Sequence, residues 1–181
     1  TNQGLTWSKT TGSNELQSVT CIAQDRRIGF SSIWYYGTGE NRGNSAASVG
    51  ASYLGNGVYK STDNGQSWSL LTSTASNTPE SFEERFDIIH EIEVNPLNGD
   101  VYVATFDGLF KSENGGNTFD MVLGGDLNSI WVDVVINGFG EIFAVLDGEG
   151  IFSSTNGVDW TDITPVGFPL VEGERKEIAF A

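Results

Sequence analysis

Three observations predict an all-β chain built from repeated four-stranded antiparallel sheets. A polar octet that ends in an aromatic residue recurs, as STDNGQSW at 61–68, SENGGNTF at 112–119 and SSTNGVDW at 153–160. Between octets, short runs of β-branched and aromatic residues alternate with Gly, Asn and Asp turns, and no stretch keeps a helical period. Asn2, Asp63, Asn114 and Thr155, at the third octet position, stand 61, 51 and 41 residues apart. The bare unit is therefore about 40 residues long. Four short strands in such a unit make the blade of a β-propeller, whereas a β-helix would need shorter coils.

The elements follow in order. Asn2–Trp7 fits the last six octet positions, so 1–10 is expected to hold the last strand of a preceding blade. A first full blade, 16–71, takes its strands from SVTCIAQD, IWYYGT, GVYKS and SWSLLT. A second, 86–123, takes them from IHEIEV, VYVATF, LFKS and TFDMVL, and a third, 128–164, from IWVDVVI, EIFAVL, IFSS and DWTDI. KEIAFA, at 176–181, would open a following blade. One partial propeller spanning 1–181 results, about three full blades with one strand at each end. Closed propellers have about 4 to 8 blades, so the expectation is an interior piece of a longer chain. Its open sheet edges call for covering, by the remainder of that chain or by a protein partner.

Each octet is read as the turn between the third and fourth strands. Ser and Asp or Asn oxygens accept backbone N–H groups, Gly supplies positive φ, and the final ring returns into apolar packing. That assigns a structural role to Ser61, Asp63, Gly65, Ser67 and Trp68, to Ser112, Asn114, Gly116, Thr118 and Phe119, and to Ser153, Gly157 and Trp160.

Composition excludes several classes. A formal charge of −15 with no Lys/Arg block is unsuited to nucleic acid or anionic membrane, and no apolar run reaches the roughly 20 residues of a membrane helix. Cys21, the one cysteine, lies in an apolar strand as a buried thiol, and His90, the one histidine, opens HEIEV as a packed side chain. No His-based triad or zinc site of the usual ligands can be assembled. No turn follows the Asp-x-Asp-x-Asp-Gly order of a calcium loop, and GTGENRG lacks the helix and Lys of a phosphate loop. No metal and no cofactor is expected.

The pattern Ser-x-Asp-x-Gly-x-Ser/Thr-Trp resembles the Asp-box, or bacterial neuraminidase repeat, of sialidases, sortilin-type propellers and xyloglucan-hydrolysing propellers. STDNGQSW matches it fully; SENGGNTF substitutes Asn and Phe; SSTNGVDW loses the Asp and the hydroxyl residue. The stretch WYYGTGENRGNSAASVGASYLGNGVYKSTDNGQSW, with TPESFEERFD after it, is similar to large exported propeller proteins of Bacteroidetes-type bacteria, many with a type IX secretion sorting tail. No such tail is present here. That resemblance implies a bacterial protein, extracellular or attached to the cell surface. Sialidases need three converging arginines, and here only Arg26, Arg27, Arg42, Arg85 and Arg175 occur, without an Arg-Ile-Pro motif.

Strand parity places function. Connections between second and third strands, and between blades, open on the face opposite the octets. Both long insertions fall there, where loops on a rigid scaffold bind or catalyse. The first offers Glu40, Asn41, Arg42, Asn44 and Tyr53; the second offers Phe82, Glu83, Glu84, Arg85 and Asp87. Asp107 and the turn Asp147-Gly148-Glu149 share the face, although Asp-Gly is first a hairpin signal. Carboxylates, amides and rings suit a carbohydrate or a cation. The leading expectation is a non-catalytic binding or adhesion module for a carbohydrate or protein ligand. The alternatives are a glycoside hydrolase of the xyloglucanase-like type, which needs a carboxylate pair across a cleft, and a structural segment of an extracellular assembly.

Overall fold

The structure, a computed structural model, describes residues 4–12, 18–41, 53–75, 82, 85–125, 131–171 and 176–179. The first blade is β1 (Val19–Gln24), β2 (Trp34–Thr38), β3 (Val58–Ser61) and β4 (Ser69–Leu70). The second is β5 (Ile89–Val94), β6 (Val101–Thr105), β7 (Gly108–Ser112) and β8 (Asp120–Gly124). The third is β9 (Val132–Ile136), β10 (Ile142–Leu146), β11 (Gly150–Ser154) and β12 (Thr161–Asp162). Each blade is a four-stranded antiparallel meander in sequence order. Together they form a partial β-propeller.

The blades stack face to face, with β1, β5 and β9 meeting along the inner side. Alternation along the strands sends one set of side chains into each seam. Between the first two blades lie Ala23, Tyr35, Val58, Ile89, Ile92, Val101 and Val103. Tyr102, Ala104, Leu109, Val132, Val134, Ile142 and Leu146 fill the second seam. Removing one such aliphatic side chain from water stabilises by about 1.5–3 kcal/mol. Gly37 of β2 lets the first seam close, because a Cβ there would stand 2.5 Å from Ile89 Cγ2 and 2.7 Å from Cys21 Sγ. Cys21 is buried as expected, and burial, its largest cause, pushes the thiol up to about 12.

Residues 4–12 and 176–179 make side-chain contacts with the blades: Trp68 Nε1 donates to Thr10 Oγ1 at 3.3 Å, and the Ile178 N–H donates to Asp133 Oδ2 at 2.8 Å. Two features differ from the expectations. A 3-10 turn, Arg85–Asp87, lies in the connection to the second blade. The second difference is a one-residue register change in the last octet.

That change is visible in the hydrogen bonds. Ser61 Oγ accepts from Asp63 N and Gly65 N, and Asp63 Oδ1 accepts from Gln66 N and Ser67 N. Ser112 Oγ accepts from Asn114 N and Gly116 N in the same way, while Asn114 Oδ1 accepts from Thr118 N. In the third blade these roles belong to Ser154 and Asn156, not Ser153 and Thr155. Ser154 Oγ accepts from Asn156 N and Gly157 N, and Asn156 Oδ1 accepts from Val158 N and Asp159 N. The turn is one residue shorter, and Asn156 supplies the side-chain oxygen thought to be lost. Ser153 instead pairs with Thr161 in the sheet.

Candidate functional site

The meander puts the octet turns on one face and, among the described residues, 39–41, 53–57, 71–75, 82, 85–88, 106–107, 125, 131 and 147–149 on the other. The two insertions are tied together at their bases, since Gly55 N donates to the Asp87 carbonyl at 2.7 Å. Farther out on the first insertion, Glu40 and Tyr53 exchange two backbone bonds of 2.7 and 2.8 Å. A repeated contact levels this face: Gly39, Phe106 and Asp147 donate their N–H to the Ser18, Ile88 and Trp131 carbonyls, each just before an inner strand.

The predicted site residues separate into two groups. Asp87, Asp107 and Asp147 are fully buried. Arg85 Nη2 reaches Asp107 Oδ2 at 3.2 Å, and Lys176 Nζ reaches Asp147 Oδ1 at 2.5 Å. Asp107 sits at φ 71 in the tight turn between β6 and β7, a conformation that Asp tolerates better than most residues. The Asp107 and Asp147 carboxylates hold connections in place, and none of the three presents an oxygen to solvent. Glu40, Asn41 and Glu149 are half-buried, while Tyr53 and Phe82 are 55% and 49% exposed. The Phe82 ring meets Phe106 edge-on at 5.0 Å, a geometry that ring quadrupoles favour. Arg42, Asn44, Glu83 and Glu84 lie outside the described residues.

Sequence reasoning missed a cavity of about 340 Å³ between β5, β9 and residues 176–179. His90, Glu91, Glu93, Trp131, Asp133 and Lys176 line it. His90 and Trp131 stack as tilted rings 4.6 Å apart. Burial raises the Glu93 carboxyl above its ordinary range, Arg26 opposes that shift, and Asp133 adds to it. The available signal was alternation in the inner strands: Glu91 and Glu93, and then Asp133, occupy positions that a fully enclosed strand would fill with apolar residues.

No protein-family model matches the chain, and no curated protein matches it. Solved structures do. A GH74 enzyme of Niastella koreensis aligns with TM-score 0.51 and 16% identity, covering 83% of this chain and 30% of that one. An ancestral GH74 enzyme gives 0.57 and 18%, covering 81% and 20%. YCF48 from Cyanidioschyzon merolae gives 0.52 and 14%, covering 87% and 40%. All three are propeller proteins. At these identities the likeness establishes the fold alone. The chain spans 20 to 40% of the length of these structures.

Proposed function

We propose that this chain is a non-catalytic part of a larger exported propeller, and that its loop face binds carbohydrate. One observation carries the reading: Tyr53 and Phe82 hold large rings half out of water on the face opposite the octets. The insertions that bear them are anchored to each other through Gly55 and Asp87. Flat apolar rings with a few polar neighbours, fixed on a rigid scaffold, make a stacking platform for a sugar ring with little ordering cost. Glu40 and Asn41, beside Tyr53 in the first insertion, provide hydrogen-bonding groups for hydroxyls.

Three of the acids that a hydrolase could use on this face are withdrawn from solvent. Of the carboxylates predicted for this face, Asp87, Asp107 and Asp147 are buried, and the last two are ion-paired. The octet turns belong, on this reading, to the Asp-box class; the shared Ser Oγ and Asp or Asn hydrogen bonds support it. Export rests on the resemblance of residues 34–68 to surface propellers.

A glycan array with the purified protein tests the proposal, followed by calorimetric titration of the best ligand against Tyr53→Ala and Phe82→Ala. Each substitution should weaken binding by about tenfold or more, since truncated aromatic anchors cost more than 1 kcal/mol, with melting temperature unchanged. Absence of any glycan ligand, together with capture of a protein partner through the same two rings, would replace carbohydrate by protein as the ligand class.

A further inference from the structure

Each seam between blades is locked in the same way. In the first, Lys60 Nζ of β3 donates to the Gly115 carbonyl in the next blade's turn at 2.7 Å, and Tyr35 OH reaches the same oxygen at 3.4 Å. In the second, Lys111 Nζ of β7 donates to the Asn156 carbonyl at 3.4 Å, and Tyr102 OH stands where a Gly157 Cβ would be. Lys111 is also held within its own blade, by Asp100 Oδ2 at 3.0 Å and Glu113 Oε1 at 2.7 Å.

The strand registers carry these positions to the third blade. Tyr102 pairs with Lys111, and Phe143 pairs with Ser153. Phe143 therefore stands for the tyrosine and Ser153 for the lysine. Glu141, just before β10, stands where Asp100 stands before β6. The acid is kept and the cation is gone. A cavity of about 470 Å³ occupies this place, lined by Glu141, Phe143, Ser153, Asp159, Thr161 and Ile163. Each of its two carboxylates accepts from an amide: Glu141 from Asn137 at 2.6 Å and Asp159 from Asn156 at 2.8 Å. Among the described residues neither meets a cation.

We infer that this face of the third blade docks a further β-blade, one that inserts a Lys or Arg side chain between Glu141 and Asp159. The incoming cation takes across the interface the role that Lys111 plays inside the second blade. Continuity supports this occupant, because the cavity lies at the place that the next blade's turn covers in both existing seams. Charge supports it too: two acids with no lysine beside them favour a partner of opposite sign.

The test places the photo-crosslinking residue p-benzoylphenylalanine at Thr161, an exposed cavity position, in the protein as its source produces it. Irradiation and mass spectrometry should identify a blade segment with Lys or Arg within a few residues of the attachment point. Glu141→Gln together with Asp159→Asn should cut the crosslink yield by about tenfold, because the incoming cation loses both carboxylate partners, while Ser153→Thr should leave it unchanged. Attachment to a segment without a basic residue, to a second copy of these three blades, or to nothing would overturn the inference. So would a yield indifferent to the Glu141→Gln, Asp159→Asn pair in a variant that circular dichroism shows to be folded.

Discussion

Gly65, Gly116 and Gly157 occupy one position in three copies of the same turn, with φ of +79°, +95° and +70°. They differ in what the preceding blade presents. A Cβ on Gly157 would stand 2.0 Å from Tyr102 OH, and one on Gly116 would stand 2.4 Å from Leu71 Cδ1. On Gly65 it would meet only its own turn's Trp68, at 3.5 Å. Gly65→Ala should therefore cost about 1–2 kcal/mol, the left-handed backbone penalty alone. Gly157→Ala adds overpacking of about 1–3 kcal/mol against a buried phenol, for a total of about 2–5 kcal/mol. Gly116→Ala falls between, because the leucine methyl can turn aside. For a chain of this size each kcal/mol lowers the melting temperature by about 2–4 °C. Urea unfolding followed by tryptophan fluorescence reads the order directly. Equal losses at positions 65 and 157 would refute the claim that these turns are inter-blade contacts rather than isolated loops.

Three further outcomes follow from the same structure. Arg85→Met leaves the fully buried Asp107 without its cation and should destabilise by about 2–4 kcal/mol, less than a wholly buried pair because the arginine is partly exposed; Arg85→Met combined with Asp107→Asn should recover most of that loss in urea titrations. Bonds from the Ser67 hydroxyl, then the Ser67 N–H and the Ser61 hydroxyl, pull the Asp63 carboxyl from 3.8 down to about 2. A carboxyl depressed in the folded state stabilises above its unfolded value and loses that contribution as pH falls through the folded one. Asp63→Asn should therefore melt below the parent at neutral pH, with the gap closing between about pH 4 and pH 2. The Cys21 thiol, buried in the first seam with its ionisation pushed up to about 12, should resist a disulfide-exchange reagent at pH 8 until urea unfolds the chain, at which point one thiol should react.

The repeat was legible because its signal is local. Octet residues bond within their own turns, and strand alternation shows in runs such as VYVAT and IFAVL. A strand's partners across a seam leave weaker traces. The acidity of Asp107 and Asp147 marked them for a ligand, yet the nearest cations come from Arg85 and Lys176, 22 and 29 residues away along the chain. Burial depends on that distant pairing, which spacing alone does not encode. The third octet was misplaced by one residue because Ser153 and Ser154 are adjacent. Only the inward-pointing one can accept the turn's N–H groups, and strand register decides which that is. Tyr53 and Phe82 were found through parity, since the count of strands settles the face on which an insertion emerges.

Hydrogen–deuterium exchange of the protein with and without its best array glycan bears most directly on the loop face as the binding surface. Protection should rise in segments 53–57, 85–88 and 105–108, and stay flat across the turns at 61–68, 112–119 and 154–160. Protection confined to those turns would contradict the account, because it would place the ligand on the opposite face of the propeller.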